Sequence, residues 1–508
     1  MHTTLRAPIV LCVLLSACAG DPPADEADSV ADESESSGDG DGDGDGDGDG
    51  DGDGDDSCAV GPWQAGHPLE MPELPPGDPE AGYQALLTED YVSCGIPWDL
   101  FGLAEGVLGV EEPLPGREGK NAEVGHAWNV VTNDDGSESV VSNCLQCHAG
   151  YFNGELIVGL GKVAADFTTP LQQTLDPLPD LPETSDANIS FNKFKARAAA
   201  LGPYSEMATI GANPAVMFAI VLLSHRDAQT LAWHDEPQFE LSTDLIVPAD
   251  VPPWLRNAKK ATHFANGMSR DDHRGTMVLA SSLCTDSVEE AAPVVDYFAD
   301  IQAYVASLEA PEYPFAIDEA LAAEGQALFE CNCAGCHGTY ADDPADETFP
   351  NLLIPIEVIG TDSAFVDSAS AGGFYHYLQE WFNESYYGMF SQIETNGPVP
   401  GYTAPPLDGI WATAPYFHNG SVPSIELVLN SSARPSYWRR VDYDSTNFDE
   451  SALGWPWEPA VAQSEATASE RKYIYDTTLF GYGNGGHTFG DQFSDDERRA
   501  VLEYLKTL

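Results

Sequence analysis

Positive charge is scarce in this 508-residue chain: 21 Lys and Arg stand against 83 Asp and Glu, a formal net charge of −62. Such a surface repels polyanions, which argues against nucleic acid and anionic lipid headgroups as partners. Long apolar runs are missing as well. The N-terminal run at residues 7–15 is about half of the ~20 residues that a membrane-spanning helix needs, and no later stretch is long and apolar enough to span. Aromatic residues are absent between Asp21 and Ser57, so that tract has nothing with which to build a core. Methionine is sparse, and none follows Met389.

What is present begins at the N-terminus. Arg6, the apolar run and Leu15-Ser16-Ala17-Cys18 read as a lipoprotein signal peptide over residues 1–17, with Cys18 as the lipidated first residue of the mature chain. The expectation is an extracytoplasmic protein held by its lipid anchor alone, on the periplasmic face of the outer membrane or at the cell surface. Residues 18–57 read as a disordered acidic tether, centred on a strict Gly-Asp alternation at 38–55. That alternation lacks the periodic apolar residues a calcium-binding solenoid requires. Residues 21–57 hold 17 of the acidic residues, which leaves 66 against 20 basic ones from Cys58 onward, a net charge near −46. The body is long enough for two domains with cores of their own.

Of the ten cysteines, four fall in Cys144-Leu-Gln-Cys147-His148 and Cys333-Ala-Gly-Cys336-His337. This spacing lets two thiols add to the vinyl groups of a haem while the adjacent histidine reaches its iron from one face. With 10 Cys and 12 His in the chain, chance predicts roughly 0.005 such matches. Zinc knuckles or a redox dithiol would leave both histidines unexplained. The cofactor expectation is therefore two covalently bound haem c groups, with Cys144, Cys147, Cys333 and Cys336 as attachment points and His148 and His337 as iron ligands. Each imidazole should donate its other ring proton to a backbone carbonyl. Cys58 with Cys94, and Cys284 with Cys331, are conceivable disulfides, but sequence does not fix the pairing.

Periodicity predicts helices around both motifs. Ile317, Leu321, Leu328 and Phe329 share a face, with Gly325 allowing close approach of another helix. Ser494-Asp-Asp-Glu497 is a capping box, followed by Val501, Leu502, Leu505 and Leu508 at helical spacing. These two helices are expected to pack together beside the second haem. Val294, Val295, Phe298, Ile301, Val305 and Leu308 predict a helix closing the first unit, before Pro311 and Pro314. The fold expectation is mainly α: a first cytochrome c domain at 58–312 and a second at 313–508, each with long irregular loops.

The run Ala404-Pro-Pro-Leu-Asp-Gly-Ile-Trp-Ala-Thr-Ala-Pro-Tyr-Phe-His418-Asn-Gly-Ser-Val-Pro423 resembles a segment of the bacterial di-haem cytochrome c peroxidases. Tyr313-Pro-Phe315 and Gly483-Asn-Gly-Gly-His487-Thr-Phe-Gly490 look closer to the di-haem rubber oxygenase branch of that superfamily. The resemblance is strongest over 310–508, extends through 140–310 and stops before about residue 90. It implies that the N-terminal haem, held by His148, handles peroxide or dioxygen. It further implies that the C-terminal haem is six-coordinate and passes electrons to the first. Peroxidases of this kind often use a methionine as second ligand of the C-terminal haem, after the His418-type motif. With no methionine available there, the resemblance assigns that position to His487. It places His418 near the second haem, in contact with a propionate or the path between haems, and makes Trp254 a candidate inter-haem tryptophan.

The distal side of the first haem stays unassigned by sequence. His225, His234, His263, His273, Met207 and Met217 all lie between the motifs, and Arg270 and Arg274 are candidates for propionate pairing. Three functional classes follow. One is an oxidoreductase with a peroxide- or dioxygen-reactive first haem, peroxidase-like or rubber-oxygenase-like. The second is a non-catalytic electron carrier whose acidic face docks a basic redox protein. The third is a haem-based sensor.

Overall fold

Two pairs of helices organise the molecule, and both cross at a glycine. In the computed structural model, which describes residues 61–102, 111–239, 241–243, 246–341, 343–369, 377–395 and 397–508, the helix Glu319–Asn332 packs on the C-terminal helix Asp495–Leu505. A Cβ on Gly325 would overlap the Ala500 carbonyl, so only glycine permits this approach. Phe329 and Tyr504 meet beside it at 5.2 Å. Asp318 caps the first helix through the amides of Ala320 and Leu321. The capping box of Ser494 and Glu497 starts the second, as its sequence predicts.

The other pair is the same device in the N-terminal half. The helix Pro79–Thr88 lies on Val288–Ala306, where a Cβ on Gly82 would overlap the Asp300 carbonyl. Tyr83 and Tyr304 flank that crossing at 5.0 Å, and the Asp78 amide donates to Asp300 Oδ1 at 2.7 Å. The long helix carries Val294, Val295, Phe298, Ile301 and Val305 inward, all buried. The apolar run ahead of His225 becomes the helix Ala215–Ser224, with Met217 fully buried in the same core. Its flanks are apolar almost all round, as befits a helix enclosed by others.

Among the described residues helix is the largest regular class, and five small sheets accompany it. The strands are two to five residues long, too short for the period-2 alternation that reveals strands in sequence. The hairpin Ala149–Phe152 and Glu155–Val158 follows His148 directly, turned by Asn153 and Gly154, both at positive φ. That Asn-Gly pair is the two-residue turn whose twist suits adjoining strands. Elsewhere, His67–Pro68 pairs with Leu352–Pro355, which pairs in turn with Gly401–Thr403.

One apolar core draws on residues from Ala85 to Tyr402, and a second runs from Phe152 to Leu505. Both therefore take side chains from either side of residues 309–316, and Asp55–Leu508 forms one compact unit. Cys94 and Cys284 form a disulfide, Cα to Cα 5.7 Å, which corrects the pairings suggested by chain order. The reason is local: the Cys284 amide donates to the Val92 carbonyl, and both sulfurs are buried in one small core. Cys331 is also disulfide-bonded. Residues 1–60, with Cys18, Cys58 and the Gly-Asp tract, lie outside the described residues. Among the described residues no helix is long and apolar enough to cross a membrane.

Candidate functional site

Each Cys-x-x-Cys-His motif folds into a single helical turn that brings its histidine back beneath its cysteines. In the second, the turn Ala334–His337 continues from Cys333 and ends at Gly338, whose φ of 87° sends the chain away. His337 Nδ1 donates to the Pro405 carbonyl at 2.8 Å, which leaves Nε2 as the free lone pair. Tyr340 donates to the His337 carbonyl at 3.0 Å. None of the four motif cysteines is in a disulfide.

His487 faces His337 with ring centroids 6.3 Å apart. A metal–imidazole bond is about 2 Å and a ring nitrogen sits roughly 1.1 Å from its centroid, so two imidazoles sharing one metal hold their centroids about 6.2 Å apart. The pair is therefore spaced as two imidazoles that would hold one metal ion between them. Burial pushes the His487 imidazole down to about 3, with His337 and Arg434 adding to the effect. His337 is lowered in the same way. Both stay neutral, the form in which imidazole binds a metal.

The loop that presents His487 is built for close approach. His487 itself has φ 43°, and a Cβ on Gly486 would overlap the backbone at Gly360. The His487 amide donates to the Ile359 carbonyl at 2.7 Å. Arg434 then gathers five main-chain carbonyls: Leu427 at 2.8 Å, Val428 at 3.0 Å, Asn484 at 2.9 Å, Gly486 at 2.6 Å and His487 at 3.0 Å. Its guanidinium also lies over the Phe417 ring. Sequence reasoning missed Arg434; its only signal was an arginine in a strongly acidic body.

In the first motif, the turn Leu145–His148 runs straight into the Asn-Gly hairpin. Tyr91 Oη accepts from the Cys144 amide at 3.0 Å, and Asn213 Nδ2 approaches Cys147 Sγ at 3.9 Å. His148 faces the Pro252 backbone, although its Nδ1 forms no well-aligned hydrogen bond. Trp254 stacks on the His148 ring, centroids 4.6 Å apart and planes 18° apart. Two backbone bonds hold that stack, Gly159 N to His148 O at 2.8 Å and Trp254 N to Gly159 O at 2.7 Å.

Trp254 opens the 3₁₀ turn Trp254–Lys259, whose later residues reach the surroundings of the second motif. Arg256, buried, donates to the Asp408 carbonyl and to Thr413 Oγ1, both at 3.0 Å. Lys259 pairs with Asp408 and with Glu347. One turn of chain thus touches His148 at its start and the segment after Pro405 at its end.

The polar segment after this turn carries several buried polar groups. His263 stacks on His273 at 4.1 Å. His273 is fixed by Ser269 Oγ at 3.1 Å from its Nδ1, while its Nε2 has no partner. Asn266 Oδ1 and Arg270 Nη2 are likewise buried without partners. Burial pushes His148 and His273 each down to about 4 and His263 well below its usual value. His148, Lys260 and His263 are deeply set, yet each keeps part of its surface uncovered. Burial keeps His148 neutral, the form in which it would hold the iron of a haem attached at Cys144 and Cys147.

The other sequence candidates have different surroundings. His418 Nε2 donates to Tyr402 Oη at 3.1 Å, and that hydroxyl donates to the Asp362 carbonyl at 2.8 Å. The His418 carbonyl accepts from the Asp250 amide at 2.7 Å. His225 stacks on Trp233 and meets the His234 carbonyl at 2.9 Å from its Nδ1. Met207 is buried against Tyr482. Arg274 is held by Asp272.

One comparison with known proteins bears on the kind of domain present. Residues 401–439 match the family described as RoxA-like, cytochrome c-like. The chain is 31% identical over 229 residues to an uncharacterized protein, y4iM, of Sinorhizobium fredii (strain NBRC 101917 / NGR234), over 38% of this chain and 50% of that protein. It is 29% identical over 262 residues to a second uncharacterized protein of that organism, y4iJ, over 40% of this chain and 41% of that protein. The chain thus matches half or less of the length of these relatives. Among solved structures, hydrazine synthase of Kuenenia stuttgartiensis aligns at 16% identity over 58% of this chain and 87% of that one, with a TM-score of 0.21, too low to carry an argument. The matched segment holds Pro405, which accepts from His337, and Arg434, which holds the His487 loop.

Proposed function

We propose that this RoxA-like, cytochrome c-like chain is a di-haem oxidoreductase with two unequal sites. When bound, the haem at Cys333, Cys336 and His337 supplies electron transfer, and the haem at Cys144, Cys147 and His148 supplies the chemistry of peroxide or dioxygen. The observation that carries this reading is the contrast between the two histidines. His337 has a second imidazole at 6.3 Å. The ring stacked on His148 is Trp254, which has no metal-binding nitrogen.

Between peroxide and dioxygen, the residues favour peroxide. Cleaving an O–O bond in a peroxide needs a group that moves a proton between its oxygens. His263, neutral and without hydrogen-bonded partners among the described residues, suits that role. An oxygenase acting on hydrocarbon would want apolar surroundings, whereas Asn266 and His273 set buried polar atoms in the segment that carries His263. The Trp254–Lys259 turn gives the two sites a shared covalent support, which fixes their spacing.

In this reading the protein is exported and anchored through Cys18, and its acidic body docks a basic redox protein. Haem attachment is tested by mass spectrometry of the protein from a host with a haem c maturation system. Two covalent haems are expected. The variant with Cys333 and Cys336 both changed to Ala should keep one, and a variant that still carries two refutes the assignment. Peroxide turnover with a reduced basic cytochrome as donor tests the activity, and its absence in protein carrying both haems would reduce the reading to electron carriage.

A further inference from the structure

Arg434 grips the His487 loop at its far end, and the near end is gripped from a different part of the chain, residues 415–421. That run is braced before it touches the loop. Tyr416 and Val422 bond across it, amide to carbonyl in both directions, at 2.7 and 3.3 Å. The Trp438 indole donates to the Ser421 carbonyl at 3.0 Å, and the His418 carbonyl takes the Asp250 amide at 2.7 Å. From this support two side chains reach His487 or its loop. Phe417, at φ 71°, sets its ring 5.9 Å from the His487 ring, centroid to centroid. Asn419, two residues on, reaches the backbone of the loop.

Asn419 is fully buried. Its Nδ2 donates to the Gly481 carbonyl at 2.9 Å and to the Gly483 carbonyl at 3.0 Å. Its Oδ1 accepts from the Ser421 amide at 3.2 Å, and its own carbonyl accepts from Tyr475 Oη at 2.7 Å. Both side-chain protons and the side-chain oxygen are thus used, as a buried amide requires. Gly483 is fixed through its amide as well, which donates to Asp362 Oδ2 at 3.0 Å. The carbonyls of Asn484, Gly486 and His487 belong to Arg434. Asn419 therefore holds residues 481–483 and Arg434 holds 484–487, with no carbonyl shared between them.

Resting on the two-site reading above, we propose that Asn419 is a positioning residue for His487 and that its two N–H groups keep the second site closed to outside ligands. A loop of glycines has many backbone states open to it, and His487 would stay on a metal only while the loop keeps the one that presents it. The two Asn419 bonds select that state from the near end, on a support that is itself fixed. The role belongs to the donors rather than to the volume of the side chain, so an aspartate of the same shape does not replace them. A carboxylate there would turn an oxygen toward the Gly481 and Gly483 carbonyls and leave them without a donor.

The experiment compares full-length holoproteins by electron paramagnetic resonance when oxidised and by carbon monoxide binding when reduced. In Asn419→Asp the low-spin signal that depends on His487 should weaken. Carbon monoxide should bind the second haem roughly tenfold to a hundredfold faster than in wild type, the factor set by two buried hydrogen bonds. Asn419→Ala, which buries no carboxylate, should show the same opening and serves if the Asp variant does not fold. Tyr475→Phe removes a bond to the Asn419 carbonyl but leaves both loop carbonyls held, and should match wild type in signal and rate. If Asn419→Asp keeps the wild-type signal and rate, the side chain acts by packing alone and the proposal is overturned. Equal opening in Tyr475→Phe means general loosening and overturns it too. Failure of the two-site reading looks different: His487→Ala then leaves the wild-type spectrum unaltered, and the proposal falls with it.

Discussion

Replacing Arg434 by leucine removes the clasp of the His487 loop. The guanidinium satisfies five carbonyls, three of them in residues 484–487. A hydrogen bond contributes about 0.5–1.5 kcal/mol net, so five set a range of roughly 2.5–7.5 kcal/mol. Gly485 is exposed, and the carbonyls beside it recover water when the arginine goes, so the lower part of the range applies, about 3 kcal/mol. The loss falls on one loop rather than on a helix crossing. It should therefore appear twice: as a fall of about 3 kcal/mol in denaturant unfolding, and as partial conversion of one low-spin haem signal to high-spin in electron paramagnetic resonance. Arg434→Lys, with a compact ammonium in place of the planar fork, should fall between. An Arg434→Leu protein within about 1 kcal/mol of wild type that kept its full low-spin signal would refute the reasoning.

Other expectations follow from the same geometry. Gly325→Val and Gly82→Val each drive a side chain into the backbone of the facing helix and should destabilise by about 2–3 kcal/mol in denaturant melts, more than the corresponding alanine variants. Opening the Cys94–Cys284 bridge, whose ends are 190 residues apart, should cost about 3–5 kcal/mol; unchanged melting of the double Ala variant contradicts that. His418 is held neutral, burial pushing its imidazole down to about 3, below the ~6.5 of an unfolded chain. Its stabilisation is thus fully present above about pH 6.5 and is lost as pH falls toward 3, by up to about 1.4 kcal/mol per pH unit. The stability gap between wild type and His418→Gln should narrow from pH 6.5 to 4, and a constant gap would count against a buried neutral imidazole.

What sequence revealed, and what it hid, divides by the range of the interaction. The two Cys-x-x-Cys-His turns, the capping box at Ser494 and the apolar face of Val288–Ala306 are local patterns, readable residue by residue. Gly325 was readable because it interrupts an otherwise regular helical face. Gly82 performs the same service against Asp300, but its partner lies over two hundred residues away and its own helix is short. The Cys94–Cys284 bridge depends on a strand-like contact of Cys284 with Val92 that no spacing announces. Strands of two to five residues carry too little alternation to be seen, which is why the expectation of a mainly α fold omitted five sheets. At the candidate site, His487 was reached through the family resemblance. Arg434 and the His263–His273 stack could not be read there, because their roles are defined by what surrounds them: carbonyls and a neighbouring ring.

The central claim is that the two sites differ in ligation. Electron paramagnetic resonance of the oxidised holoprotein, with and without azide, tests it most directly. The account predicts one low-spin signal that ignores azide and disappears in His487→Ala, together with a second signal that azide alters. Two low-spin signals both indifferent to azide, or a spectrum unchanged by His487→Ala, would contradict it.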